Sequence, residues 1–346
     1  MPVGSGAMSA AQPSATAQRL AAHLNRRARW RWPEIVFWLA ILAVIFAAPS
    51  RAAIINEVLI AGLFALSLDL ILGLAGIVSL GHAAFFGLGA YAAAILASKG
   101  VADPTLGLVL GAAVAAVAGL ATAPLLLRGA DLTRLMVTLG VSLMLGELAN
   151  RNGWLTGGAD GLNFSIAPVL GLFPIGFTGQ RNAALYSFAV LFILFAIARR
   201  LAQSPFGLAL AAIRENRLRA GALGIDTSRR IIAIYVVAAA YAGAAGALLA
   251  QTTQIVSLDL FDFHRSADVM LMLIIGGAGY LYGGLIGAAA FIVLRDVISA
   301  ATPEYWEFWI GLALVILVLA GRERIGEAPR RLIALFAPRA ARRGVA

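Results

Sequence analysis

Asp69, His82 and Glu147 stand inside long apolar stretches of this 346-residue chain. A charge at the bilayer centre costs about 2.5–3.5 kcal/mol on insertion scales, so in a membrane such groups must face a protein interior or a polar cavity. There a carboxylate or an imidazole can carry a driving ion or hold a polar solute. Each also has a plainer account: Asp69 and Glu147 lie toward the ends of their stretches, where water or a cap would satisfy them, and His82 can hydrogen-bond a neighbouring helix. The small and hydroxyl residues Ser79 and Gly81, with His82 on the same stretch, and Ser142 on another are candidates for the lining of a solute pathway.

Other chemistries are excluded by residue type. Cysteine is absent and histidine occurs only at His23, His82 and His264, which removes disulfides and thiolate catalysis and leaves no metal site to expect. The only lysine, Lys99, is followed by Gly100, so no phosphate-binding loop exists and the chain is not itself a nucleotide-hydrolysing motor. The zinc-protease and serine-hydrolase patterns are missing as well, so no catalytic residue is assigned and the chain itself is expected to bind no cofactor. Gly87, Gly89 and Ala92 match a dinucleotide-binding spacing but sit inside an apolar run without a strand-turn-helix context. The net charge of +10 comes almost wholly from arginines clustered between apolar runs, a pattern that orients membrane spans and does not call for nucleic acid.

The elements that must position these residues are apolar helices. Hydrophobic residues make up 61% of the chain and charged ones 13%, far from the roughly 45–50% and 25% of soluble domains. The apolar runs are continuous, without the alternation of a membrane barrel strand. They lie at Ile35–Ala48, Ile54–Leu72, Ile77–Ala97, Thr105–Leu127, Leu135–Ala149, Ala183–Ala198, Ile231–Ala250, Ala267–Leu281, Gly283–Ile298 and Trp306–Ala320. The expectation is an all-α polytopic membrane protein of about ten transmembrane helices. The first run is short enough to imitate a signal-peptide core and is read as an uncleaved span. The pair between Ala267 and Ile298 shares few residues around a glycine cluster, so one of the two is a candidate broken or re-entrant helix.

Arginine excess marks cytoplasmic loops. Five arginines precede Pro33, seven lie between Arg199 and Arg230, and seven follow from Arg322 onward. Ten spans place all three segments on one side, with both termini cytoplasmic. The organisation expected is a basic tail over 1–33, a transmembrane domain over 34–321 with a cytoplasmic loop at about 203–230, and a basic tail over 322–346.

Glycine and alanine recur at spacings of four, at Gly107, Gly111, Ala115 and Gly119 and at Gly279, Gly283 and Gly287, which lets helices approach closely in lipid. Between the sixth and seventh runs the segment from Ala212 to Asp226 reads as two short helices around a polar break. It offers a small apolar knob, Leu218, Ala222 and Ile225, ringed by arginines. A loop that only fixes topology is the equal alternative.

Three separated blocks, GLAGIVSLGHAAFFGLGAYAAAI (Gly73–Ile95), AIRENRLRAGALGID (Ala212–Asp226) and LIIGGAGYLYGGLIGAA (Leu273–Ala289), resemble the permeases of branched-chain amino-acid ABC importers, the LivM type in particular; TGGADGL (Thr156–Leu162) resembles a further block. The resemblance spans roughly residues 54–320. It departs from the family at Gly284, where proline is usual, at Gly321–Gly326 and at Gly221. It implies a bacterial inner-membrane subunit that pairs with a second related permease, couples to two cytoplasmic ATPase subunits holding ATP and magnesium, and receives solute from a periplasmic binding protein. Carried over position by position, it implies that Arg214, Glu215, Asn216, Ala220, Leu223 and Gly224 contact an ATPase. Gly276, Gly277, Gly279, Gly283 and Gly287 are read as helix-packing residues. Importers of urea, other amides and aromatic acids share the permease type, which leaves the solute open. An ion-coupled secondary transporter using Asp69 and Glu147, and an assembly subunit without a pathway, are the rival readings.

Overall fold

A computed structural model describes residues 32–127, 131–168 and 179–320. The arginine-rich tail over 1–31 and the segment from 321 onward lie outside the described residues. Each apolar run corresponds to a helix: α1 (Trp32–Ala47), α2 (Ala52–Ala75), α3 (His82–Ser98), α4 (Pro104–Leu127), α5 (Asp131–Arg151) and α6 (Gln180–Ala202) precede two short helices, α7 (Pro205–Glu215) and α8 (Arg217–Ala222). Then come α9 (Thr227–Thr253), α10 (Phe263–Gly276), α11 (Leu281–Ala301) and α12 (Trp306–Ala320). Among the described residues six helices are long and apolar enough to cross a membrane, and α1 and α3 are shorter apolar helices. The chain is an all-α polytopic membrane protein.

Two helices, α2 and α9, are mostly buried and form the axis of the bundle. α9 packs on α2, α3 and α4, while α2 also packs on α6 and α11. The α3–α4–α9 contact is made by absent side chains. A Cβ on Gly89 would lie 2.1 Å from the Gly243 carbonyl oxygen, one on Gly246 would lie 1.9 Å from the Phe86 oxygen, and one on Gly243 would lie 2.4 Å from the Ala115 Cβ. The stripe of Gly107, Gly111, Ala115 and Gly119 is buried in this contact. In lipid, where burying apolar surface gains nothing over the acyl chains, such backbone approach supplies much of the helix–helix attraction. α1 uses the opposite device: Trp38 packs edge-on against Phe188, Phe192 and Phe195 of α6 at 5.0–5.8 Å between centroids. Glu34 and Arg199 close that contact with a buried ion pair at 2.9 Å.

One span differs from the sequence expectation. The third run was expected to be helical from Ile77, but Gly76 ends α2 at a φ of 71° and the helix resumes only at His82. The Gly76–Gly81 stretch is non-helical because its own glycines end one helix and bring the next close to α5: a Cβ on Gly81 would lie 1.9 Å from the Thr138 oxygen. A helix break therefore lies here too, ahead of a 17-residue α3. The α10–α11 pair is two helices joined by a turn, with α10 only 14 residues long. Gly276, Gly283 and Gly287 pack α10 on α11: their Cβ atoms would fall 1.7 Å from Gly283 O, 2.2 Å from Gly277 O and 1.8 Å from Met272 O. Gly277 and Gly279, read from sequence as packing residues, serve the turn itself at φ values of 97° and 87°.

At the other end of the bundle, the Thr156–Leu162 block uses Gly157, Gly158 and Gly161, all at positive φ, to turn into a two-residue strand. That strand, β1 (Leu162–Asn163), pairs antiparallel with β2 (Ile255–Val256) beyond α9. The pairing ties the two connecting segments together.

Overpacking a close contact costs about 1–3 kcal/mol and occasionally more. Gly246→Val is expected to lower the thermal unfolding midpoint of the detergent-purified protein. Gly140→Ala, where an added Cβ meets nothing within 4 Å, is expected to leave it unchanged or raised.

Candidate functional site

The three sequence blocks converge on one junction. Asp69, in the last turns of α2, is buried and accepts a hydrogen bond from the Gly279 amide of the α10–α11 turn at 2.7 Å. Arg214, in the last turn of α7, donates to the Gly73 carbonyl at 2.5 Å and lies 3.1 Å from where a Gly279 Cβ would stand. Its aliphatic stem lies over Gly76, whose Cβ would fall 2.9 Å from Cγ. Gly73 admits the turn: a Cβ there would lie 2.5 Å from the Asp69 carboxylate and 2.8 Å from the Gly279 nitrogen. One carboxylate and one guanidinium thus join α2, α7 and the α10–α11 turn.

Beyond the junction, α7 and α8 form the double helix expected from sequence. Ser204 caps α7, with Pro205 in the first turn. Asn216 is extended, which breaks the helix, and its side chain accepts from the Arg219 amide at 2.9 Å to cap α8. Gly224 ends the element at a φ of 83°. Of the candidate docking residues, Glu215, Asn216, Leu223 and Gly224 are exposed, whereas Ala220 is buried. Arg214 is exposed as well, while its guanidinium reaches back to the bundle. Of the expected apolar knob, Leu218, 88% exposed, and Ala222 do face outward, while Ile225 packs against the core and Leu223, 74% exposed, joins the outward face.

The candidate pathway residues gather around the break between α2 and α3. Ser79, His82 and Ser142 are all buried. Ser67 donates to the Phe64 carbonyl at 2.6 Å and meets His82 Nε2 at 2.9 Å. A hydroxyl has one proton, so Nε2 is assigned as the donor to Ser67 and Nδ1 is left as an acceptor. Among the described residues, Nδ1 and the Ser79 hydroxyl have no hydrogen-bond partner. The backbone of the break is served from two sides: Thr138 Oγ1 accepts from the Leu80 amide at 3.3 Å and Ser266 Oγ accepts from the Ala83 amide at 2.9 Å. Ser142 stands apart, donating to the Phe261 carbonyl at 3.1 Å. Glu147 is not part of this group; it lies on an exposed face paired with Arg151 at 2.8 Å.

A second charged cluster escaped the sequence reading. Glu57 of α2 is ion-paired with Arg295 of α11, and Arg265 and Asp268 of α10 line the same cleft. The signal was present, since Glu57, Asp268 and Arg295 fall inside the runs Ile54–Leu72, Ala267–Leu281 and Gly283–Ile298. What hid them is that they belong to three different runs, and only the packing of α2, α10 and α11 shows their proximity.

Residues 50–319 match the family described as branched-chain amino acid transport system, permease component. The chain belongs to that family. Among curated relatives it is 29% identical over 314 residues to the high-affinity branched-chain amino acid transport system permease protein LivM of Salmonella typhimurium, covering 82% of this chain and 73% of that protein. The LivM protein of Escherichia coli is equally similar over the same shares. A probable LivH protein of Methanocaldococcus jannaschii is 30% identical over 198 residues, 55% of this chain and 60% of its own. No solved structure matches the chain. The matched region of this permease contains the whole junction and the α7–α8 segment.

Leaving a buried amide without its acceptor costs about 1–3 kcal/mol. Asp69→Ala is expected to destabilise the permease by about that amount in chemical unfolding of the detergent-solubilised protein. Asp69→Asn, which keeps an acceptor oxygen for Gly279, is expected to cost clearly less.

Proposed function

We propose that this chain is the LivM-type permease subunit of an ABC importer in a bacterial cytoplasmic membrane, carrying branched-chain amino acids or closely related solutes inward. The observation that carries this reading is the junction: the α7–α8 segment, the last turns of α2 and the α10–α11 turn are hydrogen-bonded into one unit, so force applied to the segment reaches two groups of apolar helices. Ten spans, with both termini and the α7–α8 segment in the cytoplasm, agree with the arginine distribution. The domain organisation follows, with basic tails over 1–33 and 322–346 flanking the membrane domain. The chain performs no chemistry itself. A second, related permease subunit is the expected partner in the membrane, since both LivM and LivH relatives exist. Two ATPase subunits holding ATP and magnesium dock on the exposed face of α7–α8 around Glu215, Leu218, Leu223 and Gly224, with Asn216 and Ala220 holding its shape, and a binding protein delivers solute from the opposite side.

In this account Arg214, exposed on the segment, meets the ATPase and also reaches back to the bundle. It transmits the displacement of α7 to Gly73 and the Gly279 turn. Because a driver shifts an equilibrium only by binding its two states differently, the ATPase must contact the segment differently in the inward- and outward-facing forms. The helix break near Ser79, Gly81 and His82 is the natural place for the pathway to open, since non-helical backbone at membrane depth persists only inside protein or beside a polar cavity. Ser142, apart from the break and bonded to the Phe261 carbonyl, is proposed as a further lining residue.

The test is uptake of labelled leucine into proteoliposomes holding the complete complex. Uptake is expected to require ATP and to persist when ionophores dissipate the proton and sodium gradients; gradient dependence without ATP would instead support a secondary transporter. Glu215→Trp and Gly224→Val, the latter forcing a β-branched residue into a left-handed position, are expected to leave ATP hydrolysis running while uptake falls.

A further inference from the structure

The charged cleft among α2, α9, α10 and α11 has the composition of a cargo site. An outer cavity of about 270 Å³ is lined by Asn56, Glu57, Gln180, Thr252 and Arg265 among others. It adjoins an inner one of about 50 Å³ reaching Phe64, Phe86 and Met272, and the two share Glu57, Ile60, Leu249 and Arg265. The rim is therefore polar and charged, and the floor is apolar.

The charges are unevenly used. Glu57 and Arg295 satisfy each other. Arg265 and Asp268, three residues apart on one face of α10, both line the inner cavity; the Arg265 and Arg295 charges act on Asp268, yet among the described residues neither the Arg265 nor the Asp268 side chain closes a hydrogen bond or an ion pair within 4 Å. Half-buried opposite charges that attract without direct hydrogen bonds leave donors and acceptors unsatisfied, which is costly. A ligand carrying a carboxylate and an ammonium on adjacent atoms would satisfy both at once, with its side chain directed onto Ile60, Phe64 and Met272.

Position along the fold agrees. Glu57 and Gly73 are separated along α2 by about 24 Å at 1.5 Å per residue, so the cleft lies at the far end of the helix from the α7–α8 junction. The floor residue Phe64 packs at a tilt against Phe86, with centroids 4.6 Å apart, and stacks on the His82 ring at 5.8 Å. Glu57, Ile60, Phe64 and Ser67 recur at helical spacing on α2, which leads from the cleft past the aromatic pair to the His82 break.

We infer that Arg265 and Asp268, backed by the Glu57–Arg295 pair, bind the carboxylate and ammonium of a zwitterionic α-amino acid whose apolar side chain rests on Phe64 and Met272. This rests on the importer reading above and narrows it, because urea carries neither charge and aromatic acids lack the ammonium.

The test uses the complete complex in lipid nanodiscs, without binding protein, and follows hydrogen exchange. L-leucine is expected to protect the segments around residues 57–64 and 265–272, whereas 4-methylpentanoate, lacking the ammonium, and 3-methylbutylamine, lacking the carboxylate, are not. In proteoliposomes Asp268→Asn is expected to lower leucine uptake at least about tenfold, the size of one lost charge-assisted contact, with Asp268→Glu retaining more of it. Absence of protection by leucine, or equal protection by either single-charge analogue, overturns the site while leaving ATP-driven leucine uptake by the unmodified complex as separate support for the importer. If Asp268→Asn weakens binding-protein docking as much as it weakens uptake, the cleft is a docking patch and the proposal fails. Absence of ATP-driven leucine uptake by the unmodified complex removes the function and the site together.

Discussion

Lipid offers no hydrogen bonds, and that constraint organises this structure wherever a helix stops inside the bundle. The chain interrupts its apolar helices at Gly76–Gly81 and at Gly277–Tyr280, and at each place the released backbone groups are met by side chains from distant elements. Asp69 takes the Gly279 amide, Arg214 takes the Gly73 carbonyl, Thr138 takes the Leu80 amide and Ser266 takes the Ala83 amide. Breaking any of these without replacement exposes a backbone group to an environment that cannot solvate it. The helix breaks, and the contacts that satisfy them, therefore hold together α2, α3, α5, α7 and α10.

That arrangement suits a machine that must move without unfolding. The α3–α4–α9 contact, made where Gly89, Gly243 and Gly246 allow backbones to touch, leaves little room for rearrangement. The junction around Arg214 is different: its contacts are single hydrogen bonds to a carbonyl and an amide, reached by one long side chain and one short one. A push on α7–α8 would be felt first at Gly73 and the Gly279 turn, and through Asp69 by α2, the helix that lines both the helix break and the charged cleft. In the proposed mechanism α2 connects the site where energy enters to the site where cargo is held.

Much of the helical layout was legible in the sequence because continuous apolar runs and arginine clusters are local signals. The two-helix character of Ala212–Asp226 was legible for the same reason: Asn216 is both a poor helix interior residue and a good cap. The start of α3 was not legible. Ile77, Val78 and Leu80 continue the apolar pattern, and what prevents a helix there is the position of Gly76 and the tertiary approach of Gly81 to Thr138. Arg214 was legible as a surface residue of the segment, but its hydrogen bond back to Gly73 was not, since nothing in the local sequence reveals an arginine whose stem also crosses Gly76. The Glu57, Arg265, Asp268 and Arg295 group was hidden for a third reason: proximity across three helices is a property of the packing alone.

The most direct test of the account is chemical capture of the partner at the exposed end of the segment. A photo-cross-linking residue in place of Leu218, which the structure leaves 88% exposed, is activated in whole membranes. The account predicts a covalent adduct with an ATPase subunit whose yield changes when nucleotide is trapped. Labelling of position 218 from the external face of sealed cells, or an adduct with the binding protein in its place, would contradict it.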